Sequence, residues 1–348
     1  MGVNTPTNGD ALYHGAVSKR RLPVNYDPRD VALFSHELEK VIPATTLQQL
    51  RDVRVSADGI FFRGRRMLPE SFAFPANLEL WNWRGVLKFF VANYAGRRRR
   101  TLTYDVLWIT DDWSNGYFHW LTDALTRLFV MRERLDELVL LLPWDYQARN
   151  FVTASLRAFG VDRVEFIARD EVLRCPSVFL PTHTAPSGHY NEEILLGVRR
   201  LLLQTYGEAA PSSAGERIYL SRGRARKRKI HNEAAVLELM AEFGFETIYA
   251  EDISFEQQVK IFSRARYFVS NHGAGLTNML FMPSGASVLE LRHQTDCVNN
   301  CYFTLASALD LKYFYQTCPS VADLDPHAAD LVVDSSILRT NLQLLLKA

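Results

Sequence analysis

The chain has 348 residues, 47% of them hydrophobic, and its formal net charge at pH 7 is +1. This length predicts two domains, each with a core of its own. The near-neutral charge excludes a surface devoted as a whole to nucleic acid, and four cysteines without paired spacing exclude a zinc module and a disulfide framework. Residues 1–10 lack the apolar centre of a signal peptide, and no window approaches a membrane span, so we expect a cytoplasmic protein.

The first hundred residues predict no clear element, because prolines interrupt short apolar runs. From residue 106 the pattern becomes regular. The predicted strands are 106–109, 138–142 and 177–180, and the predicted helices are 118–135, 146–159 and 191–206. Residues 207–215 are rich in small residues, proline and serine, which indicates a linker. We therefore predict a first domain at 1–206 and a second at 216–348.

Strands and helices alternate in the second domain. The predicted strands are 217–221, 246–249, 267–270, 287–291 and 311–315, and the helices between them start near 233, 254, 274 and 301. Asn232 is a predicted N-cap, and Ser254 with Gln257 predicts a capping box. This alternation is typical of an α/β fold whose parallel sheet is covered on both faces. In such sheets, ligands bind at the carboxyl ends of the strands.

A small-residue turn follows the predicted strand 267–270. Asn271 and His272 lead into Gly273, Ala274 and Gly275, and Asn278 falls in the first turns of the next helix. Exposed amides at a helix N-terminus bind anions through hydrogen bonds and the helix dipole. The turn therefore indicates a phosphate site. The alternative is an ordinary turn whose glycines only permit a tight reversal.

Two other predicted strand ends carry polar side chains. Ser221 and Arg222 begin a basic stretch that includes Arg228, and guanidinium groups suit paired phosphate oxygens. Glu290 ends an apolar run and can accept hydrogen bonds from a ribose. The alternatives are a solvated loop, a nucleic-acid patch and an ion pair between Glu290 and a neighbouring arginine. The chain has no Gly-x-x-x-x-Gly-Lys-Ser/Thr sequence, which argues against a phosphate-loop NTPase.

The first domain offers His119, Asp123 and Arg127, four residues apart and so on one face of a helix. A histidine beside a carboxylate is suited to act as a general base, although a surface salt-bridge stripe would have the same spacing. Asp111 and Asp112 form either a metal-binding pair or a cap for the coming helix, and we predict no metal site. The run 97–100 is four arginines, either a solvated loop or a contact to anionic head groups.

Three blocks of the chain together resemble glycosyltransferase family 61, whose members include xylosyl- and N-acetylglucosaminyltransferases and capsular-polysaccharide enzymes. The resemblance spans about residues 104 to 292. The blocks are 115–128, with the pattern Asn-x-x-x-His-x-x-x-Asp-x-x-x-x-Leu; 218–222 with 228–233; and 255–259 with 270–283 and 288–290.

This resemblance implies a GT-B architecture, with two Rossmann-like parallel-sheet domains facing across a cleft. The second domain would hold the donor nucleotide and the first would face the acceptor. The resemblance implies that Arg222 and Arg228 face the diphosphate, that His272 and Gly273 lie at the phosphate turn and that Glu290 holds the ribose. With the residues derived above from the strand ends and the turn, the predicted donor-binding set is Ser221, Arg222, Arg228, Asn271, His272, Gly273, Ala274, Gly275, Asn278 and Glu290. The implied catalytic residues are His119 and Asp123.

Together, the residues and the resemblance predict a glycosyltransferase that moves a sugar from a nucleotide-diphosphate donor, expected to be linked to uridine, to a hydroxyl of a glycan or polysaccharide such as a capsule. The resemblance implies that it is an inverting enzyme. No metal or other cofactor is expected, and a lipid-linked acceptor would bring the protein to the inner face of a membrane. The alternative is a non-catalytic nucleotide- or glycan-binding module that retains the donor pocket. A dinucleotide oxidoreductase is disfavoured, because no Gly-x-Gly-x-x-Gly follows a strand.

Overall fold

A computed structural model describes residues 9, 11–207, 216–321, 326 and 328–348. The chain divides into two compact units. The first comprises the described residues of 1–16 together with 43–187, and the second comprises 17–42 with the described residues of 188–348. Among the described residues, no helix combines the length and the apolar character needed to cross a membrane.

The described residues of the first unit form a nine-stranded mixed sheet in the order β10-β9-β8-β11-β4-β5-β6, with β1 also paired to β4 and β7 to β11. Its strands are β1 Ala11–Tyr13, β4 Thr45–Ser56, β5 Phe61–Arg63, β6 Arg66–Met67, β7 Arg98–Thr101, β8 Val106–Leu107, β9 Val139–Leu142, β10 Val164–Phe166 and β11 Glu171–Pro181. Strands β7 to β11 pair in parallel, whereas β4 runs antiparallel to β11. The expected purely parallel sheet is therefore wrong for this unit, because β4, β5 and β6 form an antiparallel meander.

The pairing of β11 with β4 corrects the predicted strand 177–180. Pro176 interrupts the sequence pattern, since it has no N–H to donate to a ladder. The register skips Pro176 and the facing Asp52, whose φ is +48°, and then continues to Val172 and Ser56. A local irregularity thus accommodates the proline, and the strand runs from Glu171 to Pro181.

The helices of the first unit are α2 Trp83–Tyr94, α3 Tyr117–His119, α4 Leu125–Val130 and α5 Asn150–Ala158. A π-helical segment, Trp120–Ala124, joins α3 to α4, so the predicted helix 118–135 is interrupted and ends early. The predicted helix 146–159 is divided at the extended residue Arg149 into a 3-10 turn, Trp144–Ala148, and α5, which is followed by Gly160 with φ +65°. A core cluster that includes Val53, Phe61, Trp108 and Leu141 packs on the sheet.

The second unit holds a parallel sheet, as predicted, and its strand order is β13-β12-β14-β15-β16. Its strands are β12 Arg217–Ser221, β13 Glu246–Tyr249, β14 Tyr267–Asn271, β15 Ser287–His293 and β16 Lys312–Cys318, and β2 Ala16–Lys19 pairs with β3 Glu39–Ile42. Its helices are α1 Val31–Phe34, α6 Glu192–Tyr206, α7 Glu233–Glu242, α8 Phe255–Phe262, α9 Cys301–Ala308 and α10 Ser335–Lys347. A cluster that includes Tyr219, Val269, Leu289 and Phe314 forms its core.

Two segments predicted for the first domain belong to the second unit. Helix α6 packs against α8, and Arg199 donates to the carbonyl of Met282. Residues 17–42 pack on β16, where the Phe34 ring lies 4.9 Å from that of Tyr315. The predicted boundary at 207–215 lies outside the described residues apart from Gly207. The division of the described chain therefore falls near residues 16, 42 and 187 rather than after residue 206.

The two predicted helix caps have different outcomes. Ser254 and Gln257 form the capping box of α8. Asn232 does not cap α7, because its side chain donates to the Val333 carbonyl at 2.8 Å and accepts from the Val333 amide at 3.0 Å. That pairing ties the start of α7 to the segment before α10.

Candidate functional site

The glycine turn follows β14 and opens a 3-10 helix, Ala274–Phe281. The amides of Ala274 and Gly275 precede the first bond of this helix, which runs from Leu276 N to Gly273 O at 2.9 Å. A Cβ atom on Gly273 would lie 2.6 Å from Arg222 Cζ, so a side chain here would force the Arg222 guanidinium to move. The guanidinium of Arg222 therefore stands directly against the turn.

Arg222 and Arg228 meet beside the glycine turn. Arg222 Nε donates to the Arg228 carbonyl at 3.4 Å, and Asn271 Nδ2 donates to the same carbonyl. Burial lowers the pKa of Arg222, and the like charge of Arg228 lowers it further. Among the described residues, Arg228 Nε is buried without a hydrogen-bond partner, and neither guanidinium forms an ion pair with a carboxylate. Two cations that lack a local counter-ion make this turn a candidate anion site.

His272 lies behind the turn in a buried hydrogen-bonded chain. Asn299 Nδ2 lies 3.1 Å from His272 Nε2, so that nitrogen accepts, and His272 Nδ1 then donates to Glu290 Oε1 at 2.5 Å. Glu290 Oε2 accepts from the Tyr313 hydroxyl at 2.6 Å, and the Tyr302 ring packs on His272 with centroids 4.9 Å apart. The imidazole is thus held in one tautomer and one orientation.

This arrangement differs from the ribose contact predicted for Glu290. Strand β15 continues to His293 through its pairing with β16, so Glu290 lies within the strand rather than at its end. Its side chain is 2% exposed, and both carboxylate oxygens already accept hydrogen bonds. Burial raises the pKa of Glu290, but the neighbouring His272 and Arg292 lower it more, and the net pKa lies below the ordinary value. Glu290 is therefore placed to orient His272.

The other predicted donor-binding side chains also bond within the second unit. Ser221 Oγ donates to Glu233 Oε1 at 2.6 Å and accepts from the Gly223 amide at 3.0 Å. Asn278 is fully buried and donates to Gln258 Oε1 at 2.9 Å. Both side chains support the elements that carry the turn and the arginines. Of the predicted set, Arg222, Arg228 and the amides from Gly273 to Gly275 remain the groups best placed for an anion.

His119 and Asp123 form a direct pair in the first unit. His119 Nδ1 lies 2.8 Å from Asp123 Oδ2, and Ser187 Oγ donates to the same oxygen at 2.9 Å. Asp123 Oδ1 accepts from Thr122 Oγ1 at 3.1 Å. The Asp123 side chain is 7% exposed and that of His119 is 25% exposed, so the pair is not a surface stripe. The π-helical turn carries Asp123, and such turns are frequent at functional sites.

Arg127 does not bond to His119 or Asp123, although the spacing predicted that all three share one helix face. Its Nε donates to the Pro181 carbonyl at 2.9 Å, and its Nη1 lies 3.6 Å from Asp111 Oδ2. His183 Nε2 contacts the same oxygen at 2.8 Å. Asp111 Oδ1 accepts from the amides of Trp113 and Ser114 and so closes the turn before α3. The N-cap of α3 is Gly116, without a side-chain bond, so the predicted helix cap is wrong.

The charge of Asp111 should contribute measurably to stability. Burial raises the pKa of Asp111, but His183 and Arg127 lower it more, to about 2. We expect Asp111→Asn to lower the free energy of unfolding near pH 7 by about 2 kcal/mol. Because the folded pKa lies below the unfolded value, this stabilisation is present above about pH 4 and disappears as the pH falls toward 2. Urea unfolding of both proteins from about pH 7 to pH 3 should show the difference in the free energy of unfolding fall to roughly half, and a constant difference would contradict the prediction.

The four arginines at 97–100 do not form a solvated loop. Strand β7, Arg98–Thr101, pairs with β11, and its side chains bond within the first unit. Arg98 pairs with Asp170, and Arg100 pairs with Glu165 and Glu171. Arg97 and Arg99 instead donate to the carbonyls of Arg169 and Tyr94, so two of the four charges have no carboxylate partner among the described residues.

A family model described as Glycosyltransferase 61 matches residues 117–289, which contain the His119–Asp123 pair, both arginines and the glycine turn. The chain belongs to glycosyltransferase family 61. The matched stretch is a glycosyltransferase domain of that family, in agreement with the resemblance seen in the sequence.

Curated relatives match this family 61 chain over a shorter region. Mouse protein O-linked-mannose β-1,4-N-acetylglucosaminyltransferase 2 is 42% identical over 85 residues, which cover 24% of this chain and 15% of the mouse protein. The Drosophila melanogaster EGF domain-specific O-linked N-acetylglucosamine transferase is 35% identical over 98 residues, 27% of this chain and 18% of that protein. The aligned region thus spans less than one fifth of either relative.

Several residues around Asp123 and His272 in this family 61 protein were not predicted from the sequence. They are Ser187 beside Asp123, and Tyr302, Tyr313 and Asn299 around His272. Ser187 lies in a loop 64 residues from Asp123, and nothing in its local sequence marks it. The two tyrosines look like ordinary apolar positions of α9 and β16, because their hydroxyl partners come from other elements.

Proposed function

We propose that the chain transfers a sugar from a nucleotide-diphosphate donor to a hydroxyl of a glycan, with inversion at the anomeric carbon. The observation that carries this proposal is the pair of guanidinium groups at Arg222 and Arg228, which stand beside the Gly273 turn without a carboxylate partner among the described residues. A diphosphate supplies the missing negative charge and suits both the forked donors and the leading amides of a helical turn.

On the donor side, Arg222 and Arg228 would bind the diphosphate together with the amides of Ala274 and Gly275. These groups also stabilise the charge that develops when the bond between sugar and phosphate breaks, which is the usual role of preorganised donors in such a site. We propose that they take the part that a divalent cation plays in other enzymes. His272 would contact the donor only by exchanging its bond with Asn299, because its two ring nitrogens are already bonded to Glu290 and Asn299.

On the acceptor side, His119 is the proposed general base. Its Nδ1 faces Asp123, so Nε2 is the nitrogen that can accept the proton of the acceptor hydroxyl. The hydroxyl oxygen attacks the anomeric carbon while the bond from that carbon to the diphosphate oxygen breaks. The nucleoside diphosphate leaves with the electron pair of that bond, and the single displacement inverts the configuration.

The identity of the donor rests on the relatives. The names of the mouse and Drosophila proteins specify transfer of N-acetylglucosamine. We propose a uridine-linked sugar, with UDP-N-acetylglucosamine as the first donor to test. The acceptor is proposed as a glycan or polysaccharide, and lipid-linked and capsular acceptors are included among the glycans to be screened.

Thermal and chemical unfolding with nucleotides tests the donor site. UDP at 100 times its dissociation constant should raise the free energy of unfolding by about 2.7 kcal/mol, because it binds only the folded chain. NAD at the same concentration is the control and should give no shift. Both titrations are repeated with EDTA, since the arginines are proposed to act without a metal. Stabilisation by NAD and not by UDP would contradict the proposal.

Turnover separates the enzyme from a module that only binds nucleotide. Incubation with UDP-N-acetylglucosamine and a panel of glycans should release UDP and yield an elongated glycan of inverted configuration. UDP binding without any turnover on a panel of nucleotide sugars would support the binding module instead.

The GT-B arrangement and the cytoplasmic location remain part of the proposal. X-ray scattering with and without UDP tests the arrangement, and cell fractionation tests the location.

A further inference from the structure

Two exposed aromatic rings lie beside the His119 ring in the first unit. Phe74 is 42% exposed and Trp113 is 39% exposed, and their centroids are 5.0 Å apart. The Trp113 ring lies 5.1 Å from the His119 ring at an interplanar angle of 54°. Single exposed hydrophobic residues are common on protein surfaces, but adjoining ones mark a binding site more often. These rings, called the aromatic platform below, adjoin the proposed base.

A cavity of about 340 Å³ lies next to the chain segment that carries Phe74 of the aromatic platform. Ala73 and Pro75, the chain neighbours of Phe74, both line it. Its size falls within the range of small-molecule sites, about 300 to 1,000 Å³. Its polar lining residues include Gln48, Glu70, Arg127 and His183.

The cavity combines apolar walls with a few polar groups. Glu70 Oε2 is buried and has no hydrogen-bond partner among the described residues. Arg127 is 3% exposed, and His183 is held through Nε2 by Asp111. A pyranose has apolar C–H faces that pack on aromatic rings and hydroxyl groups that need both donors and acceptors. A carboxylate, an amide and a guanidinium around apolar walls suit such a ligand better than a purely apolar or purely anionic one.

We propose that the first unit binds the acceptor as an oligosaccharide, with the sugar that carries the reactive hydroxyl on the aromatic platform and the adjoining sugar in the cavity. The inference rests on the proposed function, because only the position of His119 as base makes the platform an acceptor site. Trp113 and Glu70 are then positioning residues for the acceptor. A disaccharide should bind more tightly than the corresponding monosaccharide.

The test measures sugar binding by saturation-transfer NMR and calorimetry, without donor. The probes are cellobiose, lactose, maltose and α-1,6-mannobiose, each compared with the methyl glycoside of its non-reducing sugar. The platform variants are Trp113→Ala, Trp113→Phe and Phe74→Ala, and the cavity variant is Glu70→Gln. Trp83→Ala is the matched control, because Trp83 is 69% exposed and lies outside the platform and the cavity. Thermal melts establish that each variant folds.

We expect at least one disaccharide to bind the native chain more tightly than its methyl glycoside. Trp113→Ala should lower the affinity for the disaccharide and for the methyl glycoside by about 5- to 10-fold, and Trp113→Phe should retain most of the affinity. Glu70→Gln should weaken the disaccharide alone. The inference is overturned if no disaccharide binds, if Trp113→Ala and Phe74→Ala bind as the native chain does, or if Trp83→Ala causes the same loss.

Donor binding is measured on the same samples, so that the two proposals fail separately. UDP binding should be unchanged in every platform and cavity variant. Sugar binding without UDP binding would contradict the proposed transferase and leave a glycan-binding site in the first unit. If the native chain binds UDP and turns over while the platform variants keep their sugar affinity, the proposed transferase function stands and the platform is not the acceptor site.

Discussion

Replacing His119 with alanine is expected to lower kcat by about 10²- to 10⁴-fold, the usual contribution of a general base. The side chain is only partly exposed and its Nδ1 is fixed by Asp123, so Nε2 is presented in one orientation. Donor affinity should not change, because the arginines and the glycine turn belong to the other unit. Initial rates with saturating donor and a titration with UDP separate these two quantities.

Asp123→Asn distinguishes a proton-accepting pair from a packing contact. The amide has the shape of the carboxylate but carries no charge, so it cannot stabilise the imidazolium that forms when His119 takes the proton. We expect kcat to fall while UDP affinity and the melting temperature stay close to those of the native chain. Ser187→Ala, which removes a single hydrogen bond to Asp123, is the milder control. Full turnover in His119→Ala would assign the base to another group.

The second half of the fold could be predicted from the sequence because its signals are local. Strands 217–221 and 246–249 have the predicted bounds, and the capping box at Ser254 and Gln257 forms as expected. Each of these depends on residues within a few positions of one another. The predicted N-cap at Asn232 fails because a distant partner, the backbone of Val333, competes for its side chain.

The first hundred residues could not be predicted, because their structure depends on distant partners. Strand β4 has an irregular burial pattern around Asp52, which faces Pro176 of β11. Residues 17–42 are assigned to the second unit by contacts such as the one between Val24 N and Tyr313 O, at 2.8 Å. A proline or a short apolar run does not reveal which strand will pair with it.

The candidate sites also contain contacts that local spacing predicts and contacts that depend on distant partners. The spacing of His119 and Asp123 predicts their contact, because residues four apart share a helix face even across the π-helical turn. The position of Glu290 near a strand end suggested a ribose, but pairing between β14 and β15 sets Ser270 opposite Glu290 and brings the carboxylate to His272 instead. Register between strands is a long-range property, and the sequence pattern alone does not specify it.

Arg222→Ala is expected to weaken UDP binding by about 1.5 to 3 kcal/mol, or roughly 10- to 150-fold, if charged hydrogen bonds to phosphate are lost. The guanidinium lies against Gly273, and its pKa is lowered by burial and by the charge of Arg228. A bound diphosphate relieves that repulsion, so its affinity should depend on both arginines. Arg228→Ala should therefore also weaken UDP binding. The double variant should lose less binding free energy than the two single variants added together, because removing one cation already relieves the repulsion on the other.

Arg226→Ala is the matched control for this prediction, since Arg226 lies in the same basic stretch but is exposed. A general effect of positive charge would weaken UDP equally in all three single variants and would disappear at high salt. A localised site predicts that Arg226→Ala binds UDP as the native chain does at every salt concentration. Arg222→Lys adds a second check, because it keeps the charge but loses the planar fork that two phosphate oxygens require. Unchanged UDP affinity in Arg222→Ala and Arg228→Ala would remove the glycine turn as the donor site, whatever the outcome at His119.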